Sequence, residues 1–78
     1  MTTDYAALGR NARVTYWRDL MSEIHKWCVD IEDDAGTQTI STHNLEAEAR
    51  REAKRQANRR GLDCFFVAPG GERILSND

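Results

Sequence analysis

A chain of 78 residues has room for one small domain, which buries only about 60% of the surface that its unfolded chain exposes. Its composition, 40% hydrophobic and 31% charged, excludes a disordered tail, and its longest apolar run, residues 64–68, is too short to cross a bilayer. The N-terminus lacks the basic-then-apolar pattern of a secretory signal, so we expect a cytoplasmic protein.

The first segments of the chain predict a lead-in and a strand. Residues 1–12 are small and polar, which is typical of a flexible lead-in, and we expect a single domain over 13–78. The β-branched and aromatic residues at 13–18 favour a strand. A short helix stays open as the alternative, because four apolar residues recur at helical spacing: Trp17, Leu20, Met21 and Ile24.

A β-hairpin follows. Apolar residues alternate with other residues from 26 to 31, which is the period of a half-buried strand. The turn residues at 33–36 include Gly36, which accepts a positive φ. The Thr-rich segment 37–41 then predicts a returning strand with Ile40 facing inward.

The segment from 45 to 60 predicts the main helix. Asn44 is the expected N-cap, with Thr42 as the competing candidate. Gly61 follows two arginines and is expected just past the helix end. Four residues form one apolar stripe that we expect to lie close to a sheet: Leu45, Ala49, Ala53 and Ala57.

The last part of the chain predicts two more strands. Residues 64–68 are apolar on both faces, which indicates a central strand, and residues 69–71 form a turn before a short strand at 73–75. We therefore predict an α+β fold, a single two-layer domain with an antiparallel sheet of about four strands packed against one main helix. The order is β-β-α-β-β, with an extra strand or short helix in front left open.

The outward side of the predicted helix is basic. Like charges four residues apart cost about 0.2–0.5 kcal/mol per pair, and three arginines here have that spacing. The plain interpretation is a solvated outer surface. The functional hypothesis is a surface that binds phosphates or an acidic protein, formed by Arg50, Arg51, Lys54, Arg55 and Arg59.

The hairpin tip is acidic. Acidic residues suit turns, which is the plain interpretation. The alternative is a tip that imitates phosphates and docks into a groove built for nucleic acid. The residues predicted to share this tip are Asp30, Glu32, Asp33 and Asp34.

Two pairs of adjacent aromatic residues, Tyr16–Trp17 and Phe65–Phe66, lie on predicted strands. Neighbouring side chains on a strand point to opposite faces, so one member of each pair faces away from the helix. If that face is uncovered, it forms an apolar patch suited to a protein partner or to dimerisation.

Cysteine and histidine residues give no catalytic or metal-binding pattern. Cys28 and Cys64 are expected to be buried thiols, and with His25 and His43 they lack the spacing of a zinc site. Neither histidine has a nucleophile at a recognisable motif spacing. We therefore predict a protein without enzymatic activity, cofactor or metal.

Four short segments lie between residues 27 and 74, about two-thirds of the chain: Trp27-Cys28-Val29, Ser41-Thr42, the Ala/Glu/Arg run at 46–51, and Arg73-Ile74 after a Gly-rich turn. In these segments the stretch resembles a class of small uncharacterised bacterial and phage domains. The size and organisation of the chain are also similar to phage anti-CRISPR proteins, a resemblance that implies inhibition by binding.

These observations lead to an expected function. We expect a non-enzymatic interaction protein, in the first place a phage-encoded inhibitor that binds a host CRISPR-Cas complex and blocks its recognition of target DNA. A small nucleic-acid-binding accessory protein that uses the basic helix face is the second hypothesis. An oligomerisation module is the third, and we expect a monomer or homodimer without membrane attachment.

Overall fold

The backbone forms five strands and one helix. A computed structural model describes residues 12–21 and 26–76. The predicted α+β class is confirmed, with five strands instead of about four, and the predicted lead-in lies outside the described residues apart from Ala12. The elements are β1 (Arg13–Arg18), β2 (Trp27–Asp33), β3 (Gly36–His43), α1 (Glu46–Arg60), β4 (Cys64–Val67) and β5 (Arg73–Leu75).

The strands form one sheet in the order β3-β2-β1-β4-β5. The extra strand in front is confirmed as β1, which pairs with β2 along its whole length. The predicted antiparallel pairing is confirmed for three of the four strand pairs, whereas β1 and β4 run parallel. The chain leaves β3 at one edge, passes along α1 and returns as β4 beyond β1, and such a crossover allows parallel neighbours.

The helix packs on one face of the sheet through small residues. Ala49, Ala53 and Ala57 are buried against a core that includes Val14 and Val29, as predicted. Alanine side chains let the helix backbone come close to the strands, so that a thin core is still densely filled. The other side of α1 faces away from the sheet.

The helix begins differently from the prediction. Leu45 is the N-cap, with extended dihedral angles of φ −120° and ψ 144°, and no side chain caps the helix. Thr42 is still paired with Cys28 in β3, so the strand continues beyond the predicted residue 41. Only Asn44 and Leu45 remain to join strand and helix, which moves the cap to Leu45.

This start also changes the predicted stripe. Leu45 is 59% exposed because its extended backbone lies outside the helix. Gln56 is the fourth buried residue of the helix instead, and its Nε2 donates a hydrogen bond to Glu52 Oε2 at 2.6 Å. The stripe prediction is therefore confirmed for the three alanines and wrong for Leu45.

The helix ends at Gly61, as predicted. Gly61 has left-handed dihedral angles, φ 66° and ψ 32°. The amide of Leu62 donates to the carbonyl of Ala57 at 2.9 Å, and the amide of Gly61 to that of Asn58 at 3.4 Å. These bonds satisfy carbonyls that the helix itself leaves without a donor. Leu62 packs against the core from this position.

The hairpin of β2 and β3 is confirmed, but the half-buried character of β2 is wrong. Its residues from 28 to 32 are all buried, on both faces of the strand. The strand lies between β1 and β3, and side chains from β1, β3 and β5 cover the face opposite the helix. Ile40 packs against the core as predicted.

Candidate partner-binding surfaces

The predicted basic surface lies on the side of α1 that faces away from the sheet. Arg50, Arg51, Arg55 and Arg59 are exposed and Lys54 is half-buried. The buried alanines fix this orientation, since a helix that hides positions 49, 53 and 57 presents the intervening positions outward. We call the five residues the basic helix face.

One member of the basic helix face is held in an ion pair. Arg55 donates from Nε to Glu52 Oε1 at 3.0 Å and from NH2 to Oε2 at 2.7 Å. The bond from Arg55, together with that from Gln56, lowers the pKa of the Glu52 carboxyl below its ordinary value. Arg51 and Arg59 have no such partner among the described residues, so their charge is available to a ligand.

Arg50 and Lys54 lie on the flank of α1 nearest to β4. Burial raises the pKa of the Cys64 thiol, while the positive charges of Lys54 and Arg50 act in the opposite direction. The basic helix face therefore extends from the outward side of the helix towards the fourth strand.

The predicted acidic tip is not formed as a surface of four carboxylates. Asp30 is only 5% exposed and lies within the sheet on the face without the helix. Its Oδ2 accepts a hydrogen bond from Trp17 Nε1 at 2.7 Å, and its Oδ1 accepts one from Thr39 Oγ1 at 2.7 Å. Alternation along β2 places the Asp30 side chain away from the core, and Trp17 on β1 and Thr39 on β3 cover it.

Glu32 is the second buried member of the predicted tip, with 7% exposure. Its carboxylate accepts from Arg13 on β1 and from Arg73 on β5, where the Nε–Oε1 distance is 2.6 Å. The bond from Arg73, with a further one from Arg13, lowers the pKa of the Glu32 carboxyl although burial opposes this shift. Asp30 and Glu32 therefore stabilise the sheet and are not accessible to a docking partner.

The other two acidic residues remain at the turn. Asp33 is half-buried, and its Oδ1 accepts from the amides of Ala35 at 2.8 Å and Gly36 at 3.1 Å. This arrangement is an Asx turn, in which the side chain takes the place of a backbone acceptor. Asp34 is exposed, so the tip presents a smaller negative surface than the sequence suggested.

The sheet face without the helix is not a continuous apolar patch. Trp17 lies on this face as the alternation predicted, because its indole contacts Asp30 while Tyr16 joins the core. Between its aromatic residues are Thr15 and Asp30, both buried and polar. This face therefore offers a weaker apolar surface for dimerisation than predicted.

The two cysteines are free and buried, as predicted. Cys64 belongs to the core beneath α1, whereas Cys28 pairs with Trp17 and lies on the opposite face. Burial, followed by the charges of Asp30 and Asp19, raises the pKa of the Cys28 thiol. Among residues 12–21 and 26–76, no three His, Cys, Asp or Glu side chains are grouped to hold a metal.

His43 is the last residue of the edge strand β3. His43 Nε2 lies 2.9 Å from Ser41 Oγ on the edge strand β3. His25 lies outside the described residues.

The described part of the chain contains no helix long and apolar enough to span a membrane.

Sequence reasoning missed two features. One is the ion-pair cluster of Glu32, Arg13 and Arg73, for which the sequence holds no signal beyond polar residues alternating with apolar ones in β2. The other is a groove at one end of the sheet, where Arg18 lies beside aromatic side chains of β2 and β4. Arg18 was outside the predicted basic surface because it belongs to a strand.

Comparison with protein-family models, with curated proteins and with solved structures found no match for this chain.

Proposed function

We propose that this protein is a non-enzymatic interaction protein, an inhibitor of the anti-CRISPR type that acts in the cytoplasm of the host. In this proposal it binds a host CRISPR-Cas complex and blocks its recognition of target DNA. The support is the exposed basic helix face, in which Arg51 and Arg59 have no partner among the described residues. Such a surface fits the acidic groups of the complex, either carboxylates of its protein or phosphates of its nucleic acid.

The rigidity of the helix supports a binding role. The buried alanines and the left-handed end at Gly61 hold α1 against the sheet, so the backbone that carries its cations is fixed in place. A preformed surface loses less conformational entropy when it binds than a flexible basic segment does. The basic helix face therefore carries this proposal, and Asp33 and Asp34 are the remaining accessible part of the acidic alternative.

A phage plating assay tests the inhibitor proposal. The protein is expressed in bacteria that carry an active CRISPR-Cas system directed against a phage, and the efficiency of plating is measured for several CRISPR types. We expect the intact protein to restore plating with at least one type and Arg51→Glu to lose most of this effect. Arg18→Glu is the matched control, because it makes the same charge change away from the helix.

Two results count against this proposal. Failure to restore plating with any of the systems overturns the inhibitor function. Equal losses for Arg51→Glu and Arg18→Glu show instead that net charge matters and that the basic helix face is not the binding surface.

Direct binding to nucleic acid is the second candidate, favoured by the same exposed Arg51 and Arg59. A labelled DNA duplex is titrated at several salt concentrations, and each phosphate contact contributes about −0.9 to the slope of log affinity against log salt. We expect Arg51→Gln to reduce the magnitude of this slope by about one contact. The absence of binding at low salt eliminates this candidate and leaves the inhibitor proposal standing.

A further inference from the structure

A groove of about 550 Å³ opens at the end of the sheet, away from the basic helix face. Its volume is within the range of small-ligand sites, about 300–1,000 Å³. Residues from the end of β1, the start of β2, the end of β4 and the turn after β4 line it. The lining includes Arg18 and Asp19 at the rim and the rings of Trp27 and Phe66.

Aromatic rings form the walls of the groove. Trp27 and Phe66 have ring centroids 6.2 Å apart with a tilt of 34° between their planes. Tyr16 lies behind them, with its centroid 5.4 Å from that of Phe66, and so supports the wall. This packing fixes the positions of the rings, and a flat apolar body gains from contact with such walls.

The two charged residues at the rim, Arg18 and Asp19, differ in their hydrogen-bond and ion-pair partners. Asp19 Oδ1 accepts the amide of Met21 at 3.0 Å, and the Asp19 amide donates to the Lys26 carbonyl at 2.8 Å. Arg18 is exposed and has no ion-pair or hydrogen-bond partner among the described residues. The carboxylate is therefore engaged in the local turn, whereas the Arg18 side chain is exposed beside the groove.

We propose that this groove binds a small apolar anion. The flat body of the ligand lies against Trp27 and Phe66, and its single anionic group, a carboxylate or sulfonate, pairs with Arg18. The guanidinium fork suits two oxygens of such a group. This site is independent of the proposed inhibitor function, because it shares no residue with the basic helix face.

Three probes with the same ring system test the charge preference. They are 2-naphthalenesulfonate, the neutral 2-naphthalenemethanol and the cationic 2-naphthylmethylammonium. Trp27 lines the groove, so its indole N–H signal in a proton–nitrogen correlation spectrum reports on binding. We expect saturable shifts of this signal, with the anion binding about twofold to fivefold more tightly than the neutral probe.

Matched substitutions locate the anion. Arg18→Gln is expected to reduce the affinity for the sulfonate to that for the neutral probe and to leave the neutral probe unaffected. Arg51→Gln, with the same change on the helix, should retain the preference. Equal binding of all three probes, tighter binding of the cation, or shifts that do not saturate would each overturn the proposal.

Discussion

Arg73 on β5 and Glu32 on β2 form an ion pair although two strands, β1 and β4, lie between them. In the register of the sheet Arg73 is level with Cys28, four residues along β2 from Glu32. Three strand spacings and this offset correspond to about 19 Å in a flat sheet, more than the two side chains can span. The pair therefore requires the sheet to bend towards the face without the helix. Strand twist produces such a bend along one diagonal of a sheet.

Replacement of Glu32 should destabilise the sheet. Glu32→Gln removes the negative charge between Arg13 and Arg73, and a hydrogen bond to a charged group contributes about 1.5–3 kcal/mol. Both arginine side chains are partly exposed, so we expect a smaller loss, about 1–2 kcal/mol, measured by urea unfolding. Glu72→Gln is the control, since Glu72 is exposed. Equal midpoints for the two variants would show that the cluster adds no stability.

The same carboxylate predicts a stability that falls in acid. The pKa of Glu32 is lowered in the folded state by Arg73 and Arg13, so the unfolded chain binds this proton more readily. Its contribution is complete above the unfolded value of about 4.3 and is lost as the pH falls towards the lowered pKa. The stability difference between the native protein and Glu32→Gln should therefore shrink from about pH 7 to about pH 3. A difference independent of pH would contradict the assigned ion pair.

Because α1 packs closely on the sheet, we expect that Ala53 cannot be replaced by a larger residue without loss of stability. Ala53 has no exposed surface and lies between the helix and the sheet. Ala53→Phe should cost about 3 kcal/mol or prevent folding, because overpacking forces the layers apart. Ala47→Phe on the exposed side of the helix is the control, and thermal unfolding followed by circular dichroism compares the two. Equal melting temperatures would refute the packing described for α1.

The end of the helix predicts a cost for a side chain at Gly61. Its φ of 66° is in the left-handed region, so Gly61→Ala should destabilise the protein by about 1 kcal/mol. No neighbouring atom lies within 4 Å of the added methyl group, so the cost arises from the backbone alone. Gly70→Ala serves for comparison, because Gly70 has no positive φ and equally open surroundings. Denaturant titrations measure the free energy of unfolding of both variants. A larger loss of stability for Gly70→Ala than for Gly61→Ala would contradict this explanation.

Local signals were enough to predict most elements of the fold. The alternation at 26–31, the turn before Gly36 and the cations followed by Gly61 each reflect the conformational preferences of a few neighbouring residues. The alanine stripe likewise indicated how closely the helix approaches the sheet. These properties depend on short stretches of chain and can therefore be read without knowledge of the partners.

The acidic residues show where the sequence was insufficient. A cluster of four carboxylates within five positions reads as one exposed surface, yet Asp30 and Glu32 are buried by Trp17, Thr39, Arg13 and Arg73. Those four partners come from three other strands, and Arg73 lies 41 residues from Glu32. No local pattern contains such distant contacts.

The sequence by itself determined the strands after residue 26, the helix, its exposed basic side and its end at Gly61. Only the tertiary structure decided that β4 lies parallel to β1, that the acidic cluster divides between core and turn, and that Arg18 meets the aromatic groove. The physical reason is the distance along the chain over which each effect acts. Backbone preference and side-chain alternation act between neighbours, whereas strand order and the twist of the sheet determine which distant side chains share an environment.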